Sequence, residues 1–112
     1  MQENKYSDLM KKIELEELNT NIDVDSYIQL LAIYLYQDKI ADAKFLWKRI
    51  PQAVKKENNE LERLNLVMSA LIANNATDFF RQVDYPWPGN IKHIMQDLFG
   101  NDKLIDISLI FI

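Results

Sequence analysis

His93 is the only histidine in the sequence, and there is no cysteine. A zinc site here would have to rest mostly on carboxylates, which is unusual for that metal. His93 stands beside Lys92 with no carboxylate pair at ligand spacing, so it reads as a surface or capping histidine. Glu14, Glu16 and Glu17 form the densest carboxylate cluster. They fall on the polar side of an amphipathic helix, and a solvated face is the expectation. The only glycines are Gly89 and Gly100, so no glycine-rich loop exists to cradle a phosphate. Missing cysteines exclude disulfides, thiolate zinc sites and a thiol nucleophile. No catalytic, cofactor or metal site is expected, nor a small-molecule substrate.

Cations gather in one place. Lys48 and Arg49, followed by Lys55 and Lys56, make a basic patch around Trp47. These residues read either as solvated helix ends, where cations oppose the helix dipole, or as a partner-binding patch. Nucleic acid is a poor fit, because the net charge is −4 and the pI is about 4.9. Trp87, between two prolines, is either a core plug or an exposed anchor. Burial gains most for so large a ring, which favours the core.

The elements that hold these residues read as helices throughout. The apolar share is 48% and there are three prolines, too few turn formers for a sandwich or barrel. A first segment from about Lys5 to Asn19 carries Tyr6, Leu9, Met10, Ile13 and Leu18 near helical spacing. A second, capped by Asp25-Ser26, carries Tyr27, Leu30, Leu31, Tyr34 and Leu35, with Ile28, Ala32 and Ile33 widening its apolar surface. That helix is expected to lie buried between neighbours. Asp38 is placed as the cap of a third segment, Lys39 to Ile50, which Pro51 ends. A fourth runs from Asn58 or Asn59 to Asn74, and a short fifth holds Phe79, Phe80 and Val83. Tyr85-Pro86-Trp87-Pro88-Gly89 reads as an aromatic connector. Asn90 then opens a sixth helix with Ile91, Ile94, Met95, Leu98 and Phe99. The longest apolar run, Tyr27 to Tyr36, is about half of a membrane span. The N-terminus is polar and unlike a signal peptide. A soluble protein, without membrane or nucleic-acid partners, is expected.

Segments two and three follow a tetratricopeptide-like pattern: Tyr27, Leu30 and Tyr34 on the first helix, Ala43 and Trp47 on the second. Ala43 admits close approach, while Tyr27, Tyr34 and Trp47 fill the space on either side, so Trp47 is expected to be buried between the two helices. Segments four and five repeat the spacing less well, with Ala76 and Phe80 one residue early. The expected fold is all-α: one right-handed helical-repeat stack over residues 1–112.

The tract Tyr27 to Pro51, YIQLLAIYLYQDKIADAKFLWKRIP, resembles the family of the smallest COP-nine signalosome subunit, subunit eight. The matching residues are Leu30, Leu31, Ala32, Tyr34 and Leu35, then Ala43, Leu46, Trp47, Lys48, Arg49, Ile50 and Pro51. Lys55, Asn58, Glu60, Leu61, Trp87, Ile94 and Met95 continue the likeness, which covers about residues 27 to 99. The LWKRIP block is its specific part and argues against the related proteasome-lid and initiation-factor subunits. An independent helical adaptor is the reading from another class. The resemblance implies a non-catalytic scaffold that supports removal of a ubiquitin-like modifier from cullin ligases, in cytoplasm and nucleus. Other signalosome subunits, subunit three foremost, are its implied partners. Family members continue into a winged helix; here the divergent residues 100–112 stand in that place, and the winged helix is expected to be absent. Over Leu104 to Ile112 periodicity leaves helix and strand both open; by position in the family pattern the run is expected to start a helix on the sixth segment and to leave apolar surface uncovered.

Overall fold

A computed structural model describes residues 6–19 and 22–99, which form helices joined by turns and one longer connector, with no strand among them. The sequence expectations for the tail from Gly100 onward lie outside the described residues. Among the described residues seven helices follow in order: α1 (Ser7–Asn19), α2 (Val24–Tyr36), α3 (Ile40–Arg49), α4 (Gln52–Glu57), α5 (Asn59–Ile72), α6 (Ala76–Val83) and α7 (Lys92–Phe99). The centre is α2, which packs against α1, α3, α5 and α7. Eight of its thirteen residues are buried, so its apolar surface runs nearly all round, as a helix enclosed by neighbours requires. Tyr27, Leu30, Tyr34 and Ala43 all lie in the core. The last helix among the described residues, α7, reaches back onto α2 as well as touching α6, closing the fold over its first half.

Two turns solve a problem set by the composition. Helices commonly end on a left-handed glycine, and here none is available at either hairpin. Asp38 (φ 62°) and Asn74 (φ 57°) take that conformation instead, as short polar side chains can. After α2, the Asp38 N–H donates to the Leu35 carbonyl and the Lys39 N–H to that of Tyr34. After α5, Asn74 donates to Leu71 and Asn75 to Ala70 in the same pattern. Asp38 is therefore the stop of α2 and not the cap of α3, whose N-cap position falls to Lys39 without a side-chain bond. Aligned on these two turns, Phe79 occupies the position of Ala43 and Val83 that of Trp47. The second hairpin thus does not reproduce the small–aromatic pair of the first.

Caps account for two further differences. Asp23, two residues before the expected cap at Asp25-Ser26, caps α2 by accepting the Ser26 N–H at 2.9 Å. Pro51 ends α3, with Ile50 extended (ψ 128°) as a residue before proline must be. It also sits at the N-cap position of α4, a short helix the sequence pattern did not reveal. Six residues with none buried carry no periodic apolar signal. Asn58 closes α4 by donating its side-chain amide to the Val54 carbonyl at 2.8 Å.

Candidate protein-interaction surface

The sequence-derived basic patch divides on inspection. Arg49 lies at the end of α3 and grips Glu17 of α1: Nε donates to Oε2 at 3.0 Å and Nη2 to Oε1 at 2.9 Å. These bonds hold the guanidinium above its ordinary pKa, against partial desolvation that works the other way. Lys55 places its ammonium 4.6 Å from the centroid of the Trp47 ring, a cation–π contact across the α3–α4 corner. Lys48 and Lys56 are exposed. Of the four candidate partner-binding cations, two thus serve the fold first.

Trp47 is only half-buried, packed against the core and not enclosed in it as the sequence led one to expect. Its neighbours Leu46 and Ile50 are the essentially inaccessible residues at this end of α3. Trp87 is a core residue, 8% exposed, and its indole N–H donates to the Val83 carbonyl at 2.9 Å. Pro51 is exposed. His93 is also exposed, on α7, with its ring 5.6 Å from that of Tyr6.

The acidic face of α1 is not merely solvated. Glu14 accepts the hydroxyl of Tyr34 from α2, and Glu17 holds Arg49; among the three carboxylates Glu16 alone is exposed. Burial, then the hydrogen bond to Glu14, pushes the Tyr34 phenol well above its usual pKa. Tyr6 donates likewise to Asp97 of α7 and is raised by burial and by that carboxylate. Tyr6 also meets Tyr36 edge to face at 5.2 Å, so α1 is fastened at both ends.

These clasps define an outward surface. Leu18 follows Glu14 by four residues and Phe45 precedes Arg49 by four, so each stands one turn along the same helix side as a clasp residue. Leu18 is 84% exposed, Leu15 60% and Phe45 59%. Glu17 and Arg49 tie α1 to α3, and these two helices leave three large apolar side chains in solvent, Leu15 and Leu18 on α1 and Phe45 on α3. Leu18 was expected in the buried stripe of α1; its placement off the Met10–Ile13 face explains the departure. Among the described residues, no three His, Asp or Glu side chains come close enough to hold a metal ion. No helix there is long and apolar enough to cross a membrane.

Residues 21–103 match the model of the CSN8/PSMD8/EIF3K family. The chain belongs to this family. It is 43% identical over 101 residues to COP9 signalosome complex subunit 8 of Drosophila melanogaster, covering 89% of the chain and 55% of the relative. The protein of that name from Xenopus laevis is 32% identical over 95 residues, covering 81% and 49%, and that from Danio rerio 30% over 94 residues, covering 80% and 49%. The chain spans about half the length of these relatives. The family match takes in the hairpins, the connector and α7, while α1 lies before it. Arg49 and Glu17 therefore bind the CSN8/PSMD8/EIF3K region to a helix outside the match. Leu15 and Phe45 are the residues that sequence reasoning missed, and Glu17, expected on a solvated face, is instead the partner of Arg49.

Proposed function

We propose that the chain is a non-catalytic scaffold subunit of the signalosome, supporting cullin deneddylation through contacts with other subunits. The family match across residues 21–103 carries this reading, together with relatives that bear the name COP9 signalosome complex subunit 8. The exposed side chains of Leu15 and Leu18 on α1 and of Phe45 on α3 support a binding role, because exposed apolar surface marks contact sites. Their partner in this reading is a helix of another signalosome subunit, subunit three foremost, with Lys48 and Arg49 at the edge of the contact. The helix pairs act as a tetratricopeptide-like, right-handed stack in one domain, and the protein works in both cytoplasm and nucleus. Chemistry resides on another subunit.

Co-expression with a tagged subunit three tests the reading. A Leu18→Glu, Phe45→Glu double variant is expected to lose co-elution while keeping its helicity. Retained co-elution would move the contact elsewhere on the chain. Failure of the unmodified chain to co-elute would remove subunit three as the partner.

A further inference from the structure

The first helix is held by few buried side chains and several polar ones. Along α1 only Met10 and Ile13 are buried, with Tyr6 just ahead of the helix. Its second half carries Leu15 and Leu18 in solvent. Three side-chain pairs do the rest of the fastening, each reaching to a different helix. Tyr6 donates to Asp97 of α7, Glu14 accepts from Tyr34 of α2, and Glu17 accepts from Arg49 of α3. None of these pairs is fully buried, and polar pairs open to water stabilise little by themselves.

The rest of the fold does not lean on α1 in the same degree. The central helix α2 packs against α3, α5 and α7 as well. Its start is set by its own cap, the bond from the Ser26 N–H to Asp23. The family match also begins at residue 21, after α1. All three pairs join α1, or Tyr6 ahead of it, to the body of residues 24–99. A second copy of the chain therefore offers the same partners in the same cleft. An α1 seated there remakes each bond and reburies Met10 and Ile13.

We propose that α1 is an exchangeable strap, and that the cleft it occupies takes the α1 of a second copy of this chain in a reciprocal, helix-swapped dimer. The chemistry of the occupant is read from α1 itself. Met10 and Ile13 are its buried anchors, and Glu14 and Glu17 follow them by one turn each to meet a phenol and a guanidinium. Closed monomer and swapped dimer share these contacts, so exchange of the identical element is a low-cost route to association. Protein concentration decides between the two.

The Glu17–Arg49 pair provides the test, made in the full chain. Arg49→Glu sets two carboxylates against each other, and Glu17→Arg sets two guanidinium groups. Neither variant gains by exchanging α1 with itself. Unfolded and refolded together, the two satisfy both pairs only by exchange: Glu17 of one copy meets Arg49 of the other, and the two introduced charges meet each other. Native mass spectrometry and sedimentation are expected to show a one-to-one complex, with an association constant roughly tenfold above that of either variant alone. A chain carrying both substitutions restores the pair internally and is expected to gain nothing. Ile13→Asp added to both variants is expected to abolish the complex, since it removes the strap's buried anchor. Circular dichroism of each chain controls for folding. A mixture that associates no better than its components, or a complex that survives Ile13→Asp, would overturn the proposal. Hydrogen exchange of the unmodified chain gives a second reading. The α1 amides are expected to exchange well ahead of those in α2, and equal protection of the two helices would also overturn it. No other subunit takes part, so the result does not depend on the signalosome reading.

Discussion

Arg49 of α3 and Glu17 of α1 are joined by two hydrogen bonds of 3.0 and 2.9 Å, Nε to Oε2 and Nη2 to Oε1. The pair sits at the surface, with the arginine side chain 47% exposed, so its value is geometric more than energetic. Exposed pairs contribute about 0.2–1 kcal/mol even with good geometry. Arg49→Glu is expected to loosen α1 and lower stability by about 1 kcal/mol. Adding Glu17→Arg should restore most of that loss. Urea unfolding of the single and double variants measures it, and the coupling should shrink at high salt.

The two tryptophans should differ sharply. Trp87 is buried and uses its N–H, whereas Trp47 is a rim residue under Lys55. Trp87→Ala is expected to cost about 3–5 kcal/mol, as truncation of a buried ring does. Trp47→Ala should cost clearly less. Equal losses in chemical denaturation would contradict the placement of Trp47.

Alkaline pH should weaken the fold through Tyr6 and Tyr34. Both phenols are raised above their usual pKa, first by burial and then by the carboxylates they bond. The folded state therefore holds these protons more tightly than the unfolded chain. Their contribution is fully present below about pH 10, the ordinary phenol value, and is lost as pH rises beyond it. Tyr34→Phe is expected to flatten that alkaline decline. Unfolding midpoints between pH 8 and 11 give the comparison.

The exposed Leu18 and Phe45 side chains should be dispensable for folding. Leu18→Glu and Phe45→Glu are each expected to change stability by no more than about 0.5 kcal/mol, the usual range for surface substitutions. A larger loss by thermal unfolding would mean these side chains support the core.

Much of this architecture is legible from spacing alone. The stripe of Tyr27, Leu30 and Tyr34 locates α2, and the β-branched and apolar residues on its other sides foretell its central place. Turns are harder to read. Asp38 looks like a helix start because aspartate is a common cap; only the backbone shows it in the left-handed region, ending α2. The short α4 has no buried face to give it a period. At the interaction surface, residue type alone separates nothing. Glu14, Glu16 and Glu17 look alike in sequence, and the tertiary approach of Tyr34 and Arg49 is what tells two of them from the third. Arg63 is likewise an ordinary helix cation until the connector folds Tyr85 beneath it.

The central claim, membership of a signalosome assembly, is tested most directly by affinity purification of the tagged chain from its own cells at native level, with quantitative mass spectrometry of what elutes. The other signalosome subunits are expected in stoichiometric yield. Elution with proteasome-lid or initiation-factor subunits instead, or with no signalosome subunit at all, would contradict it.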